Sequence, residues 1–377
     1  MKVLEVMASG ERGGGADHLL TLLPALRTLG VECEAAVSEN GPLADRLELQ
    51  GFRVHRLSLM GSRVDPRIPY QLARLVDKVR SDLVHWHGTR AAFFGALALH
   101  LARLRTRREN IPPAVYTSHG VSYQQTHQLA GTSLARALFC RAERIACAGA
   151  RRVISVSATD LTDLERRRFI TPGQGRHLPN AVDLARFTPG DRRAARARLG
   201  IPEEAFVVGT VSRLVPQKTV GDLVEAVARL PQVTLVVAGD GPDRASVEKR
   251  IRTLGVGHRV RLLGARDDVP ELLPAFELFA LSSRWEGEPI ALLEAMAAGL
   301  PCVATATGGA REVLDEGEIG VLVPVGDAAA MASAIESLRT DPERRARLAL
   351  AGRARVTGRT PERLAQDVLG VYREVAS

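Results

Sequence analysis

Short apolar runs alternate with longer stretches of helical spacing along the chain. In the first half, the apolar runs predict strands at residues 3–7, 32–37, 54–57, 83–86, 114–118, 152–156 and 176–178. The stretches between them predict amphipathic helices at residues 17–29, 70–79 and 91–104. Because strands that alternate with helices usually pair in parallel, this half predicts an α/β domain with a doubly wound sheet.

The same alternation returns in the second half. Strands are predicted at residues 206–211, 234–238, 260–263, 278–281, 302–304 and 321–323, and helices at residues 191–199, 220–229, 243–254, 290–298, 341–355 and 361–375. A turn that begins at Pro179-Asn180 separates the two halves. We therefore predict two Rossmann-like, doubly wound domains that face a cleft, at residues 1–185 and 186–360, followed by a terminal helix at residues 361–377.

The composition is that of an ordinary globular protein, with 45% hydrophobic and 25% charged residues in a chain of 377. The four cysteines show no metal-binding spacing, which is typical of reduced thiols in a cytoplasmic protein. The chain has no apolar run of about eighteen residues, so no transmembrane helix is predicted. The first residues predict a strand rather than a signal peptide.

The net charge of +8 is uneven, because residues 1–190 carry +9 and residues 191–377 carry −1. Nucleic acid is not a predicted partner, since only 4% of residues are aromatic and no groove-reading motif occurs. The positive charge of residues 1–190 suits an anionic membrane surface on the cytoplasmic side, unless the arginines serve only solubility. Apolar residues interleave with arginines over residues 134–145, but core packing of a helix gives the same pattern. The arginines are Arg103, Arg105, Arg107, Arg108, Arg136, Arg141, Arg144, Arg151, Arg152, Arg166, Arg167 and Arg168.

Two carboxylates surround a predicted strand-to-helix connection. Glu286 follows the strand at residues 278–281, and Glu294 is expected about two turns into the next helix, which begins near Pro289 and Ile290. The carboxyl ends of parallel strands are where ligands bind in such sheets. A helix N-terminus there suits a phosphate or a polyhydroxylated ligand, although two surface glutamates would give the same pattern.

Further candidate residues follow other strands. Arg213 and Lys218 flank one loop and can act as a diphosphate clamp, unless they only form surface salt bridges. His119 ends a strand before a glycine and is expected to point into the cleft, as His85 and His87 are with less support. Glycines that allow close backbone approach, and one more cation at the rim, complete the set: Gly13, Gly14, Gly15, Gly239, Gly241 and Arg266.

Motifs for other chemistry are missing from the sequence. There is no GxSxG elbow, no Walker loop, no HExxH and no cluster of cysteine and histidine with metal-ligand spacing. Asp267 and Asp268 stand at a predicted helix start and are better explained as an N-cap than as a metal pair. The sequence therefore predicts neither a metal nor a cofactor.

Together these positions resemble the retaining GT-B glycosyltransferases of family four, and the resemblance covers nearly the whole chain. The motifs that carry it are Gly14-Gly15-Ala16, Ser118-His119-Gly120, Pro179-Asn180-Ala181-Val182-Asp183 with Phe187 and Pro189, Arg213 with Lys218, Gly239-Asp240-Gly241-Pro242, Glu286 with Glu294, and Thr307-Gly308-Gly309 with Glu312. The resemblance implies a nucleotide-diphosphate sugar as donor, for which we favour a UDP-sugar. Because the N-terminal half forms the acceptor side in this fold, its basic charge favours a lipid-linked or cell-envelope glycan precursor as acceptor. The resemblance also implies a final helix that returns to the N-terminal domain.

The resemblance assigns a role to each matching residue. Arg213 and Lys218 would bind the diphosphate and stabilise it as it leaves. Glu294 would bind the ribose hydroxyls, and Glu286 would face the donor sugar. His119 would contact that sugar near the reacting centre. Gly14, Gly15, Gly241, Arg266, Pro289 and Ile290 would complete the donor site. Elementary chemistry agrees, because a sugar that becomes oxocarbenium-like needs a stabilised anionic leaving group, which these cations supply without a metal.

Two residues depart from the family pattern: Asp17 stands where many members have Glu, a small change with no clear consequence, and Glu288 is the second. Glu288 stands where the family usually has an apolar or aromatic residue, and it is expected either to alter the donor-sugar preference or to point to solvent. Three other functions stay open: a sugar-nucleotide 2-epimerase of the same fold, a glycosyltransferase with a small soluble acceptor, and a sugar-nucleotide-binding protein without activity. The intact set of candidate residues argues against the last of these.

Overall fold

The chain forms two compact units in the computed structural model, which describes residues 1–58, 65–106, 111–121 and 133–377. Unit one comprises Met1–Ala181 and Pro361–Ser377, and unit two comprises Val182–Thr360. The predicted boundary followed residue 185, whereas the chain enters unit two at Val182. Arg107 and Arg108 of the first basic cluster lie outside the described residues.

Each unit is built on one sheet whose registered strand pairs are all parallel. The strands of unit one are β1 (Lys2–Met7), β2 (Glu32–Ser38), β3 (Arg53–Leu57), β4 (Leu83–His87), β5 (Ala114–Ser118), β6 (Arg152–Ser155) and β7 (Gly175–His177). Those of unit two are β8 (Phe206–Val211), β9 (Val233–Ala238), β10 (Val260–Leu262), β11 (Leu278–Leu281), β12 (Cys302–Thr305) and β13 (Val321–Val323).

Helices connect the strands. In unit one they are α1 (Gly14–Thr28), α2 (Leu43–Leu49), α3 (Arg67–Val79), α4 (Thr89–Thr106), α5 (Ser133–Ala148) and α6 (Ala158–Arg166). In unit two they are α7 (Arg192–Leu199), α8 (Val220–Ala228), α9 (Arg244–Thr253), α10 (Val269–Leu272), α11 (Ile290–Ala297), α12 (Gly308–Val313), α13 (Ala328–Thr340) and α14 (Pro342–Val356). The last helix, α15 (Pro361–Ala376), belongs to unit one.

The strand orders β3-β2-β1-β4-β5-β6-β7 and β10-β9-β8-β11-β12-β13 confirm the predicted fold of two Rossmann-like sheets. Both faces of each sheet are covered, so successive side chains of one strand enter different cores. Leu4 and Val6 of β1 lie in one apolar cluster of unit one, and Val3 and Met7 lie in the other. This two-sided burial is why the strands read as continuous apolar runs rather than as alternating patterns.

Several helices were not among the predicted elements. Helix α13 has the sequence AAAMASAIESLRT, in which alanine occupies both its buried and its exposed positions and weakens the amphipathic contrast. Helices α2 and α6 have only 7 and 9 residues, too few for the periodicity to stand out. Their positions are fixed by packing on the sheets, which the local sequence pattern does not record.

The terminal helix α15 packs against α1 in unit one. Its buried face includes Tyr372, whose ring lies in an apolar cluster of unit one while its hydroxyl reaches polar groups of the sheet. The Tyr372 hydroxyl donates to Glu5 Oε1 at 2.8 Å and lies 2.6 Å from His85 Nδ1. The helix is therefore held by apolar burial and by one polar anchor in the core.

Replacing Tyr372 with phenylalanine should cost about 1–3 kcal/mol of unfolding free energy, because it leaves buried Glu5 and His85 short of a partner. Urea unfolding of the Tyr372→Phe variant measures this. The matched control is Tyr70→Phe, since Tyr70 is 45% exposed and its loss should change stability by no more than about 0.5 kcal/mol. Equal midpoints for both variants would show that the anchor contributes nothing.

Candidate active site

The candidate donor residues of unit two lie where the strand order reverses. Strands β8 and β11 are neighbours at the centre of the sheet, and their helices return on opposite sides. Such a reversal leaves a crevice at the carboxyl ends of the two strands. Arg213 and Lys218 lie on the loop after β8, and Glu286 lies on the loop after β11. The topology therefore brings these three predicted residues to one edge of one sheet.

Hydrogen bonds tie these two loops together. The Gln217 side chain donates to the backbone oxygen of Trp285 at 2.8 Å, and the Arg284 backbone N–H donates to Gln217 at 2.8 Å. The Ser282 hydroxyl donates to the backbone oxygen of Lys218 at 2.9 Å. Thr219, which follows, has a positive φ of 38°, an uncommon conformation for a residue with a branched side chain. The loops thus form one fixed frame.

Lys218 and Glu286 form an ion pair inside this frame. The Lys218 ammonium lies 2.5 Å from Glu286 Oε1, and the Ser283 hydroxyl donates to the same oxygen. The lysine and glutamate side chains are only 16% and 7% exposed. Arg213 is exposed and has no ion-pair partner among the residues that the structure describes. The loop therefore offers one pre-positioned cation and one available cation to an anionic ligand.

Close backbone approach explains the glycines of unit two. A Cβ at Gly239 would overlap the backbone oxygen of Ser212, and one at Gly241 would overlap that of Leu214. A Cβ at Gly309 would overlap the backbone oxygen of Gly287, next to Glu286. These glycines let neighbouring loops press against the frame that holds Arg213, Lys218 and Glu286. Close packing therefore explains Gly241, whose contact with the donor stays a prediction.

Helix α11 begins directly at the end of the frame. Its N-cap is Pro289, and Ile290 is its first residue. Glu294 is the fifth residue of the helix and lies early in its second turn, so the expectation of about two turns was too long. Its side chain is half-buried. Arg266 is exposed and forms a two-point ion pair with Asp268 at 2.7 and 2.5 Å, and no contact joins it to the Lys218 pair.

Glu288 does not point to solvent, which was one of the two expectations for it. Its side chain is 1% exposed and forms an ion pair with Arg359. The backbone oxygen of Arg359 also accepts from the N–H of Val182, the first residue of unit two. The expectation of a solvent-facing side chain is therefore wrong, whereas an effect of Glu288 on the donor-sugar preference stays a prediction. An arginine distant in sequence holds it, which the local pattern could not reveal.

The predicted histidine of unit one belongs to a buried polar network. His119 follows β5, and its Nε2 lies 3.2 Å from Nδ1 of His87, the last residue of β4. His87 Nε2 lies 2.8 Å from Glu5 Oε2 on β1. Glu5 is a carboxylate and can only accept, so His87 carries its proton on Nε2 and accepts from His119 through Nδ1. The network thus fixes the ring orientation of His119.

Burial sets the protonation of these groups. It lowers the pKa of His87 to about 4 and that of His119 well below its usual value, with neighbouring histidines adding to both shifts. Burial alone would raise the pKa of Glu5, but His85 and His87 outweigh it and hold that pKa far below its usual range. At neutral pH the network therefore contains an ionised Glu5 and neutral His87 and His119.

Gly15 lies beside His119. It belongs to the first turn of α1, and a Cβ there would meet the Met7 side chain at 3.1 Å and His119 Cδ2 at 3.8 Å. The N-terminal turn of α1, which begins at Gly14, therefore stands next to the imidazole. Its free backbone N–H groups suit an anion or a hydroxyl close to His119. Two predicted site residues of unit one, Gly15 and His119, therefore lie side by side.

His18 of α1 joins the network, because its ring stands edge-on to His119 and its Nδ1 lies 2.9 Å from Asn180 Oδ1. Sequence reasoning missed three members of the network. Glu5 and Asn180 were not considered as site residues, and His18 of α1 was overlooked because it lies within a helix that reads as apolar. A signal for Glu5 does exist, since it is the only charged residue between Val3 and Met7 in an otherwise apolar strand. A charge at the centre of a buried parallel strand requires partners, which here are Tyr372 and His87.

Known proteins resemble both halves of the chain. The family model described as Glycosyltransferase Family 4 matches residues 12–186, and the one described as Glycosyl transferases group 1 matches residues 191–355. The D-inositol 3-phosphate glycosyltransferase of Salinispora tropica is 30% identical to this chain, over 98% of the chain and 82% of its own length.

Two further proteins are similar over most of their length. The UDP-Gal:alpha-D-GlcNAc-diphosphoundecaprenol alpha-1,3-galactosyltransferase of Escherichia coli is 28% identical over 80% of this chain and 79% of its own. The crystal structure of HepE from Anabaena, in complex with UDP and glucose, matches at a TM-score of 0.85 and 26% identity, over 99% of both chains. With both halves matched and the sheets described above, the chain belongs to the GT-B glycosyltransferases of the group 1 and family 4 type.

Proposed function

We propose that this glycosyltransferase moves a sugar from a UDP-sugar to a hydroxyl of a lipid-linked or cell-envelope glycan precursor, with retention of configuration and without a metal. The observation that carries the proposal is the Lys218–Glu286 pair beside the exposed Arg213 at the sheet reversal of unit two. UDP is favoured as the nucleotide because HepE binds UDP and glucose. The lipid-linked acceptor follows from the name of the Escherichia coli relative.

The leaving group explains the two cations. A departing nucleoside diphosphate gains negative charge, and fixed positive charge at that point lowers the barrier. Lys218 is already held in place by Glu286, so it loses little entropy when the diphosphate arrives. Arg213 supplies a planar fork that can bind two phosphate oxygens. These two residues supply the charge that a divalent metal supplies in other transferases, which is why we propose metal-independent transfer.

The remaining roles follow the geometry. Glu294, early in α11, would bind the ribose hydroxyls, and Glu286 would face the donor sugar while it holds Lys218. Pro289, Ile290, Gly241 and Arg266 would line the donor, with Arg266 reaching it after release from Asp268. We assign no donor contact to Glu288, because its carboxylate is ion-paired with Arg359.

Unit one would contribute His119 and the glycine turn. His119 is neutral, so it can hydrogen-bond a sugar hydroxyl without placing a positive charge beside the oxocarbenium-like sugar. Gly14 and Gly15 would offer backbone N–H groups to the diphosphate or the acceptor. For retention, we propose reaction on a single face of the sugar, with the departing phosphate accepting the acceptor's proton, since no residue here is assigned as a covalent nucleophile.

A small acceptor is the second candidate. The relative from Salinispora tropica, which is covered over 82% of its length, is named for D-inositol 3-phosphate. The arginine-rich unit one suits a phosphorylated acceptor as well as a lipid-linked one. A 2-epimerase of the same fold remains a third possibility, which would convert the UDP-sugar itself without any acceptor.

Helix α5 favours the lipid-linked acceptor. Leu134 and Leu138 on it are 68% and 60% exposed, one turn apart, with Arg136, Arg141 and Arg144 also exposed. Core packing accounts for Phe139 of the interleaved residues but not for these two leucines. None of the helices in the described residues is long and apolar enough to cross a membrane. We therefore propose a cytoplasmic enzyme that binds peripherally to the inner surface of the cytoplasmic membrane through Leu134, Leu138 and the exposed arginines of α5.

The wild-type protein should transfer sugar from a UDP-sugar to a synthetic polyprenyl-diphosphate sugar and give a product with the donor's anomeric configuration. Thermal-shift ranking of UDP-, GDP- and ADP-sugars selects the donor, because a bound donor raises the melting temperature. NMR of the product reads the configuration. Activity should persist in EDTA. An epimer of the donor formed without acceptor would establish the epimerase instead, and an inverted product would contradict retention.

Replacing Lys218 with glutamine should lower kcat by roughly 100- to 1,000-fold, because a fixed cation at the leaving diphosphate is lost. The matched control is Lys249→Gln, since Lys249 is an exposed lysine of α9 in the same unit. Steady-state kinetics with the selected UDP-sugar measure both variants, and melting temperatures check that they fold. A Lys218→Gln enzyme with wild-type kcat/KM would remove this residue from the site.

Replacing both Leu134 and Leu138 with serine should weaken binding to phosphatidylglycerol vesicles by more than about 10-fold, since each buried leucine contributes roughly 1.5–3 kcal/mol. Sedimentation at rising salt measures the binding, with phosphatidylcholine vesicles as the uncharged comparison. The control is Leu350→Ser, a leucine that is 73% exposed in unit two. If wild type does not sediment with anionic vesicles, the membrane proposal fails.

A further inference from the structure

Three histidines of unit one bring their ring nitrogens together. One ring nitrogen each of His18, His87 and His119 lies within 4.8 Å of those of the other two. His87 Nδ1 and His119 Nε2 are 3.2 Å apart, and the His18 ring stands edge-on to His119 with 4.8 Å between centroids. Three converging imidazoles are the ligand set that zinc and similar divalent transition metals prefer.

Neighbouring groups already orient two of these rings for a metal. Asn180 Oδ1 accepts from His18 Nδ1 at 2.9 Å, so the His18 proton is on Nδ1 and its lone pair is on Nε2. Glu5 accepts from His87 Nε2 at 2.8 Å, so the His87 lone pair is on Nδ1. A carboxylate or carbonyl behind each imidazole is what fixes the tautomer of metal-binding histidines and raises their basicity.

One of these lone pairs has nothing to bind. His18 is 3% exposed, and its Nε2 has no hydrogen-bond partner among the residues that the structure describes. A buried acceptor without a donor is costly, so its presence calls for an explanation. The neighbouring set of Glu5, His85 and His87 differs, because both ring nitrogens of His85 already contact Tyr372 and Thr117. The set around His18 is therefore the one with an unused ligand atom.

We propose that His18, His87 and His119 bind a divalent transition-metal cation such as Zn²⁺, and that the bound cation inhibits sugar transfer. On binding, the proton of His119 Nε2 moves to Nδ1 and Nε2 becomes a ligand, while His18 and His87 keep their tautomers. All three imidazoles are neutral at pH 7, since burial lowers the pKa of His18 and of His87 to about 4 and holds the pKa of His119 well below its usual value. Neutral imidazole is the form that binds metals.

Inhibition follows from the charge of the ion, and it rests on the proposed function. His119 is proposed to contact the donor sugar, which becomes oxocarbenium-like and positive as it reacts. A doubly charged ion held by the same ring places positive charge close to that sugar in a site of low dielectric, where repulsion is strong. The ion also removes His119 as a partner for a sugar hydroxyl. The binding half of the proposal does not depend on this argument.

Binding is tested on the full chain after EDTA treatment and desalting. Titration with Co²⁺ should give the visible absorption of a nitrogen-ligated, four- or five-coordinate ion at one equivalent, and Zn²⁺ should displace it, as calorimetry confirms. His18→Gln should abolish the signal, and Asn180→Ala should weaken binding roughly 10- to 100-fold through the ring behind it. His100→Gln, an exposed histidine of α4, is the matched control and should bind as wild type does.

The outcomes separate the two halves of the proposal. No stoichiometric binding by the wild type, or unchanged binding by the folded His18→Gln variant, overturns the site. Inhibition is measured as the fall in transfer rate with Zn²⁺, each variant being compared with its own metal-free rate. Zinc should inhibit wild type and His100→Gln but not His18→Gln, and equal rates with and without bound zinc overturn the inhibition. If no sugar nucleotide is turned over, the proposed function fails while the binding result stands.

Discussion

An ionised carboxylate at the centre of a buried parallel sheet must be surrounded by donors, and Glu5 imposes this requirement on unit one. Tyr372 of the last helix and His87 of the adjacent strand both hydrogen-bond the Glu5 carboxylate. The first contact draws α15 onto the sheet, although about 180 residues of unit two intervene in the chain. The second fixes the tautomer of His87, and through it the orientation of His119. One charge therefore links the closure of the unit to the geometry of its candidate site.

In unit two, ion pairs on loops hold the candidate site residues in place. Its two central strands end side by side, and the loops that follow are tied to each other by backbone and side-chain hydrogen bonds. Lys218 and Glu286 stand within that frame, so neither must be recruited from solvent when a ligand binds. Arg359 then holds the far side of the frame through Glu288. The loop after β11 is thereby held at Glu286 and at Glu288, and a fixed loop of this kind suits the proposed electrostatic stabilisation of a leaving group.

The sequence predicted what depends on local pattern. Apolar runs located the strands, because a strand that is buried on both faces has an almost continuous apolar sequence. Their alternation with helices predicted two doubly wound sheets. Residues at strand ends could be named for the same reason. The ion-pair and hydrogen-bond partners of these residues could not be predicted. No local pattern near Glu288 indicates Arg359, and none near Glu5 indicates Tyr372. Such pairs join positions that only tertiary packing brings together, so they needed the structure.

Glu286 and Glu288 show how a partner decides the role of a carboxylate. They flank Gly287 on one loop, both are buried, and each faces one cation. Lys218 lies on the loop after β8 beside exposed Arg213, so an incoming anion can share its charge. Arg359 lies near the end of unit two, where its backbone also receives the first residue of that unit. The first pair can therefore exchange partners during a reaction, whereas breaking the second would leave a buried charge unpaired and loosen the frame. Glu288, which departs from the family pattern, is therefore held in an ion pair that supports the loop bearing Glu286.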